Sequence, residues 1–122
     1  MKLCITAQGP TLDAAVDPRF GRAATFVLFD TATQEWHAVD NAPDLQAAAG
    51  AGVQSAQNVA NAGAEVVLTG HCGPKAFRAL SAAGIQVVTG VEGTVAEAAR
   101  RYMAGDLDPT DAPDVEGHWA QA

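Results

Sequence analysis

His71 and Cys72 stand side by side in the stretch Thr69-Gly70-His71-Cys72-Gly73-Pro74-Lys75-Ala76-Phe77-Arg78-Ala79-Leu80. Sulfur suits Cu(I), Zn and Fe–S chemistry, and imidazole ligates metal or donates to an anion. The apolar run Val66-Val67-Leu68 enters this stretch and a helix-like pattern leaves it, with Pro74 where a first helical turn tolerates a missing N–H. A helix starting at Gly73–Pro74 aims unpaired N–H groups and a partial positive charge at the junction. That suits an anion or an anionic metal–sulfur cluster. The helix start and Lys75 would also stabilise a thiolate at Cys72. In extended chain, neighbouring side chains point opposite ways, so His71 and Cys72 need not share one ligand.

The cations make a second group. The chain has a net charge of −7, and its cations are Lys2, Arg19, Arg22, Lys75, Arg78, Arg100 and Arg101. Arg19 and Arg22 fall in one loop, and Lys75 and Arg78 follow the His71-Cys72 junction. If the fold brings these segments together, they form a positive island that draws an anion against the overall field. The plainer alternative pairs Arg19 and Arg22 with Asp13 and Asp17 and leaves Lys75 and Arg78 solvated. Cys4, mid-strand, reads as core. His37 reads as a surface residue on an outer strand, and His118 and Trp119 lie in the tail.

The elements that must position these groups follow from periodicity. Lys2–Ala7, Thr25–Asp30 and Glu35–Asp40 read as strands, the last two joined by a hairpin at Thr31–Gln34. Gln8–Ala24, with two Gly and two Pro, reads as a long structured loop, and Asn41–Gly50 as a loop grading into helix. Helices are expected over Ala51–Ala62 (Val53, Ala56, Val59 and Ala60 inward) and Pro74–Ala83 (Ala76, Phe77, Leu80 and Ala83 inward). A third follows the capping box Thr94-Val95-Ala96-Glu97, with Val95, Ala98, Ala99 and Tyr102 inward. Glu65–Thr69 and Ile85–Thr89 complete the strands. The order β-β-β-α-β-α-β-α predicts one α/β domain, a mixed five-stranded sheet with three helices in the ribonuclease-H-like arrangement. Its ligand edge is the carboxyl end of the parallel strands, where Gln8–Ala24 and His71–Lys75 should meet. Residues 1–105 form the domain, and Asp106–Ala122, acidic and aperiodic, reads as a flexible tail.

Composition narrows the function. With 48% apolar and 17% charged residues, the chain is a folded domain, and its acidity argues against nucleic acid as a partner. No apolar run approaches the ~18 residues of a membrane span. The N-terminus enters a strand at once, which points to a cytoplasmic protein. The two cysteines lack CxxC spacing, so one chain builds neither a Cys4 zinc site nor a four-thiolate cluster site. There is no GxGxxG and no GxxxxGK[ST]; Gly50-Ala51-Gly52 is a weak phosphate-loop signal. No carboxylate lies on Leu3-Cys4-Ile5-Thr6-Ala7, where a two-metal nuclease of this topology needs one.

Two motifs carry a family resemblance. Asp17-Pro18-Arg19-Phe20-Gly21-Arg22-Ala23 before a strand, and Gly70-His71-Cys72-Gly73-Pro74-Lys75-Ala76-Phe77-Arg78-Ala79-Leu80 followed by Gly84-Ile85-Gln86-Val87, resemble the nitrogenase iron–molybdenum cofactor biosynthesis accessory family over residues 1–105. The resemblance implies a ribonuclease-H-like fold without the nuclease site. It also implies a non-enzymatic protein that binds, carries or inserts an anionic metal–sulfur cluster. For a small member bearing Cys72, it implies a non-covalently held molybdenum–copper sulfide cluster, or a related Mo/Fe–S cluster. The cluster would lie against Arg19, Phe20, Gly21 and Arg22 on one side and His71, Cys72, Gly73, Pro74 and Lys75 on the other. Arg19, Arg22 and Lys75 would supply charge, Phe20 would exclude water, and Cys72 and His71 would touch metal or sulfide. Partner proteins would deliver or receive the cluster, and the protein would be a monomer or homodimer. Two other readings fit the same residues: a metal-free protein-interaction module, and a small enzyme using Cys72 as nucleophile on an anionic substrate.

Overall fold

A computed structural model describes residues 1–41 and 51–110. Residues 42–50 and 111–122 lie outside the described residues. With them go most of the loop expected after Asn41, the Gly50 of the glycine pair, and His118 and Trp119 in the tail.

The alternation at the N-terminus forms β1 (Lys2–Ala7), the central strand. Leu3, Ile5 and Ala7 face one side and Cys4 and Thr6 the other, and residues 3–7 are all buried. β2 (Thr25–Asp30) and β3 (Trp36–Asp40) continue antiparallel from it. β4 (Val66–Leu68) and β5 (Gln86–Val88) add parallel strands on its other side. The sheet order is β3-β2-β1-β4-β5, a mixed five-stranded sheet of the expected ribonuclease-H-like kind. Strands β1 and β4 read as continuous apolar runs because helices cover both their faces. His37 is exposed on the edge strand β3, as expected.

α1 (Ala51–Asn61) and α2 (Pro74–Ala82) cover the Cys4 face, where Ala56, Val59, Ala76 and Leu80 meet Cys4, Phe26, Leu28, Val67 and Val87. α3 (Val95–Met103) covers the other face through Val95, Ala98 and Ala99, packed with Leu3, Ile5, Val66 and Leu68. Tyr102 lies at the rim of that cluster. α2 begins at Pro74 and ends before Gly84, whose φ of 78° is easy only for a residue without Cβ.

The expected inward faces of the first two helices need correction. Val53 is 42% exposed and Ala60 is also outside, while Ser55 is buried. α1 is rolled so that the Ser55 hydroxyl reaches the Asn41 amide (3.1 Å) and the Gly21 carbonyl (3.5 Å). Satisfying these buried polar groups outweighs burying one Val. Gly52 adds to this, since a Cβ there would come within 3.2 Å of Ala76 Cβ, so the two helices approach closely at their first turns. Ala83 lies past the end of α2 and is exposed.

The start of the expected loose tail is also tied down. Leu107 packs against the α3-side core, the Thr110 N–H donates to the Val87 carbonyl (2.6 Å), and Thr110 Oγ1 accepts from the Thr89 N–H (3.1 Å). Residues 106–110 thus run beside β5, whose edge offers unpaired backbone groups.

The capping box of α3 is complete: Thr94 Oγ1 accepts from the Glu97 N–H and Glu97 Oε1 accepts from the Thr94 N–H, both at 3.1 Å. The Thr94 N–H, and the Thr94 hydroxyl 3.1 Å from the same Glu97 Oε1, donate to the Glu97 carboxylate and hold it below its ordinary range. A lowered folded pKa stabilises above the unfolded carboxyl pKa, and that stabilisation is lost as pH falls through the folded one. Thr94→Ala should cost about 1 kcal/mol. It should also move the Glu97 titration, followed by NMR, part of the way toward that of a free carboxyl, because the hydroxyl donor is lost while the backbone N–H stays; an unmoved titration would mean the Thr94 hydroxyl contributes nothing.

Candidate functional site

The parallel strands β1, β4 and β5 all deliver their carboxyl ends to one edge, and the loops leaving them are stitched together there. The Asp17 N–H donates to the Thr6 carbonyl (2.8 Å) and the Val16 N–H to the Gly93 carbonyl (2.9 Å). The Gly90 N–H donates to the Gly70 carbonyl at 2.8 Å. The decisive contact is a parallel bridge between Arg19 and His71, in which the Phe20 N–H donates to the His71 carbonyl at 3.1 Å. The two segments expected to meet do meet, and they cross with almost no space. A Cβ on Gly70 would lie 2.6 Å from Pro18 Cα, so only glycine admits Pro18 there.

The arginine loop is itself held rigidly. Asp17 is 8% exposed, and its Oδ1 accepts from the Arg19 N–H at 3.0 Å. This oxygen, a candidate partner for the guanidinium groups, is engaged in the turn. Phe20–Arg22 forms one 3-10 turn. Phe20 is 1% exposed and stacks on Phe26 with centroids 5.8 Å apart. It anchors the loop to the core from beneath. The Asn41 Nδ2 donates to the Ala23 carbonyl (2.7 Å), and Asn58 Nδ2 donates to Asn41 Oδ1 (3.1 Å), so β3 and α1 grip the far end of the loop.

Among the expected site residues, Arg19, Arg22, His71 and Lys75 are exposed at this edge, while Gly21, Gly73 and Pro74 are half-buried. Arg78 is exposed one turn further along α2. Gly73 precedes α2 without a side-chain cap, and the first main-chain bond of the helix runs from the Phe77 N–H to the Gly73 carbonyl at 2.9 Å. The N–H groups of Lys75 and Ala76 therefore lie in the turn that has no intrahelical acceptor. Cys72 faces the other way. It is 1% exposed, belongs to the core cluster with Phe20, Ala23 and Ala76, and its Sγ lies 3.8 Å from the Gly73 carbonyl. Extended chain at 71–72 thus puts imidazole outside and sulfur inside.

No group of three or more His, Cys, Asp or Glu among the described residues can hold a metal ion by side chains. The rim offers charge and N–H donors instead. Four cavities among the described residues open elsewhere; the largest of them, about 590 Å³, lies between β3 and α1 and is lined by Asn41, Gln54 and Asn58. Burial pushes the Cys4 thiol far up from its ordinary range. With both sulfurs buried, neither should react with iodoacetamide until the protein unfolds. Rapid native alkylation of Cys72 would instead revive a nucleophilic role for it.

Four residues escaped the sequence reading: Thr6, Thr69, Asn41 and Ser55 are buried polar groups behind the rim. The available signal was a Thr at the carboxyl end of each of two neighbouring parallel strands.

The family model described as dinitrogenase iron-molybdenum cofactor matches residues 1–105. The apo form of the orange protein from Desulfovibrio gigas superposes with a TM-score of 0.85 at 46% identity, covering 93% of this chain and 95% of that one. A Thermotoga protein assigned to the DUF35 family superposes with a TM-score of 0.74 at 27% identity, covering 93% and 97%. A Methanocaldococcus jannaschii protein, 13% identical with a TM-score of 0.68 and coverage of 93% and 97%, shares the fold alone. No curated protein matches the chain significantly.

Proposed function

Because the chain belongs to the dinitrogenase iron-molybdenum cofactor family, we propose that it is a non-enzymatic carrier of an anionic metal–sulfide cluster containing molybdenum, with copper or iron as the second metal. The observation that carries this reading is the crossing of the Arg19 loop over His71 beside an uncapped helix start. Arg19 lies in that crossing, Arg22 follows three residues on, and Lys75 stands four residues past His71 in the first turn of α2, in a chain of net −7. Sulfide-bridged clusters are large, soft and negatively charged, and such an edge holds them chiefly through charge and N–H donors.

Arg19, Arg22 and Lys75 supply charge to the cluster's sulfides. The Lys75 and Ala76 N–H groups donate at the helix start. His71 is the exposed imidazole at the junction, and it touches metal or donates to sulfide. Cys72 supports the junction from within; its sulfur reaches a metal only if residues 71–73 turn over. Phe20 closes the site from the core side, and Gly21 and Pro74 hold the two turns. The protein works in the cytoplasm as a monomer or homodimer, and exchanges the cluster with partner proteins. Residues 1–105 form the cluster-binding domain.

The test is anaerobic isolation from the native cell with elemental analysis, followed by reconstitution of the apo-protein with tetrathiomolybdate and Cu(I). Molybdenum and sulfide should co-purify and a visible charge-transfer absorption should appear. Metal-free protein that gains no absorption on reconstitution would overturn the reading.

A further inference from the structure

Under the crossing lies a buried polar contact that the proposed carrier role does not use. Thr6 and Thr69 are both 0% exposed. Thr6 Oγ1 lies 2.8 Å from the Asp17 carbonyl and 2.9 Å from Thr69 Oγ1. β1 and β4 pair in register through Ile5 and Leu68, so Thr6 and Thr69 occupy the next rung, on the α1–α2 side of the sheet. Thr6 Oγ1 is the donor to both, so its one proton is shared between the Asp17 carbonyl and Thr69 Oγ1. Thr69 also receives the β5 side of the edge, since its carbonyl accepts from the Val91 N–H at 3.1 Å. One hydroxyl pair therefore touches the base of the arginine loop through Asp17 and the base of the His71 junction through Thr69. Apolar residues at both positions would satisfy β-propensity and burial equally well. What the hydroxyls add is hydrogen bonding that ties the two loops at a fixed distance.

We propose that Thr6 and Thr69 are the positioning residues of the anion seat, setting the spacing between the Arg19 loop and the His71–Lys75 junction; this rests on the carrier reading above. Neither residue touches the ligand. Thr6 acts through Asp17, whose backbone leads in two residues to Arg19, and Thr69 acts through Gly70, on which Pro18 rests. Hydroxyls in a dry site hold such a spacing well because leaving them unpaired is costly.

The experiment uses the full chain as Thr6→Val, Thr69→Val and Thr6→Ser variants. The probe is tetrathiomolybdate, titrated by visible absorption at several salt concentrations and at a temperature where thermal unfolding shows every variant fully folded. The valine variants should bind about tenfold more weakly. The slope of log K against log salt should fall, because fewer cations then reach the anion at once. Thr6→Ser should restore both. A purely structural role would lower the melting temperature and leave affinity and salt slope untouched, and that result overturns the proposal. So does a Thr6→Ser variant that behaves as Thr6→Val.

If the wild-type chain fails to bind the probe, the carrier reading falls. Amide hydrogen exchange in the apo-protein then decides the positioning claim alone. Thr6→Val should speed exchange at the Phe20 N–H, which crosses to His71, while leaving the Ala98 N–H in α3 at its wild-type rate. Equal changes at both, or at neither, reject it.

Discussion

Gly70→Ala should open the edge that the proposed function depends on. The new methyl would lie 2.6 Å from Pro18 Cα, 2.7 Å from the Pro18 oxygen and 3.0 Å from the Pro18 carbonyl carbon. These neighbours are backbone, so no flexible side chain can swing aside. Something must move, and the mobile candidates are the two loops themselves. Overpacking of this kind costs about 1–3 kcal/mol. For a domain of this size that is a fall in melting temperature of roughly 4 °C or more per kcal/mol. The movement also strains the 3.1 Å bond from the Phe20 N–H to the His71 carbonyl. Anion binding should therefore fall beyond what lost stability explains. Calorimetry with a tetrathiomolybdate titration of the folded variant checks both effects; a variant that melts and binds like the wild type would show that the loops do not cross as described.

The second large effect concerns charge. Removing both loop guanidinium groups, as Arg19→Ala with Arg22→Ala, should weaken cluster retention about a hundredfold, or about 2.8 kcal/mol at 1.4 kcal/mol per decade. Each single change should cost about tenfold. The loss should be greatest at low salt, where exposed charges act over the longest distance. Arg100→Ala with Arg101→Ala is the matched control, because both lie in the last turn of α3, away from this edge. It lowers net charge equally. If the two double variants lose retention alike, overall charge rather than the island governs binding, and the site assignment is wrong.

Much of this site was legible in one sequence, for local reasons. Gly73-Pro74 announces a helix start by stereochemistry, and the α2 boundary at Pro74 follows from it. Thr94 and Glu97 announce a cap by their three-residue spacing. The apolar strands Val66–Leu68 and Leu3–Ala7 announce burial on both faces, which implies parallel strands covered by helices, and so a common carboxyl edge. The meeting of the Arg19 and His71 segments follows from that topology.

Other features were not legible, for equally physical reasons. Val53 fits the helical period of α1 but is exposed, because Ser55 is drawn inward by Asn41, a residue fourteen positions away. Periodicity counts apolar positions and does not weigh a buried hydroxyl that finds a partner. The Asp17 carboxylate looked available to Arg19 or Arg22, but the Arg19 main chain engages its Oδ1. Residues 106–110 looked like the start of a loose tail because they lack a period, yet strand-edge bonds to Thr89 and Val87 need none.

The amino-acid order alone determined the element sequence, the two glycine- and proline-marked turns and the local concentration of positive charge, since each depends on residues a few positions apart. Tertiary structure decided which way the junction faces, with His71 outside and Cys72 in the core, and it brought Thr6 to within 2.9 Å of Thr69 across 63 residues of chain. Depth and long-range contact depend on which surfaces pack together, and no local period encodes that.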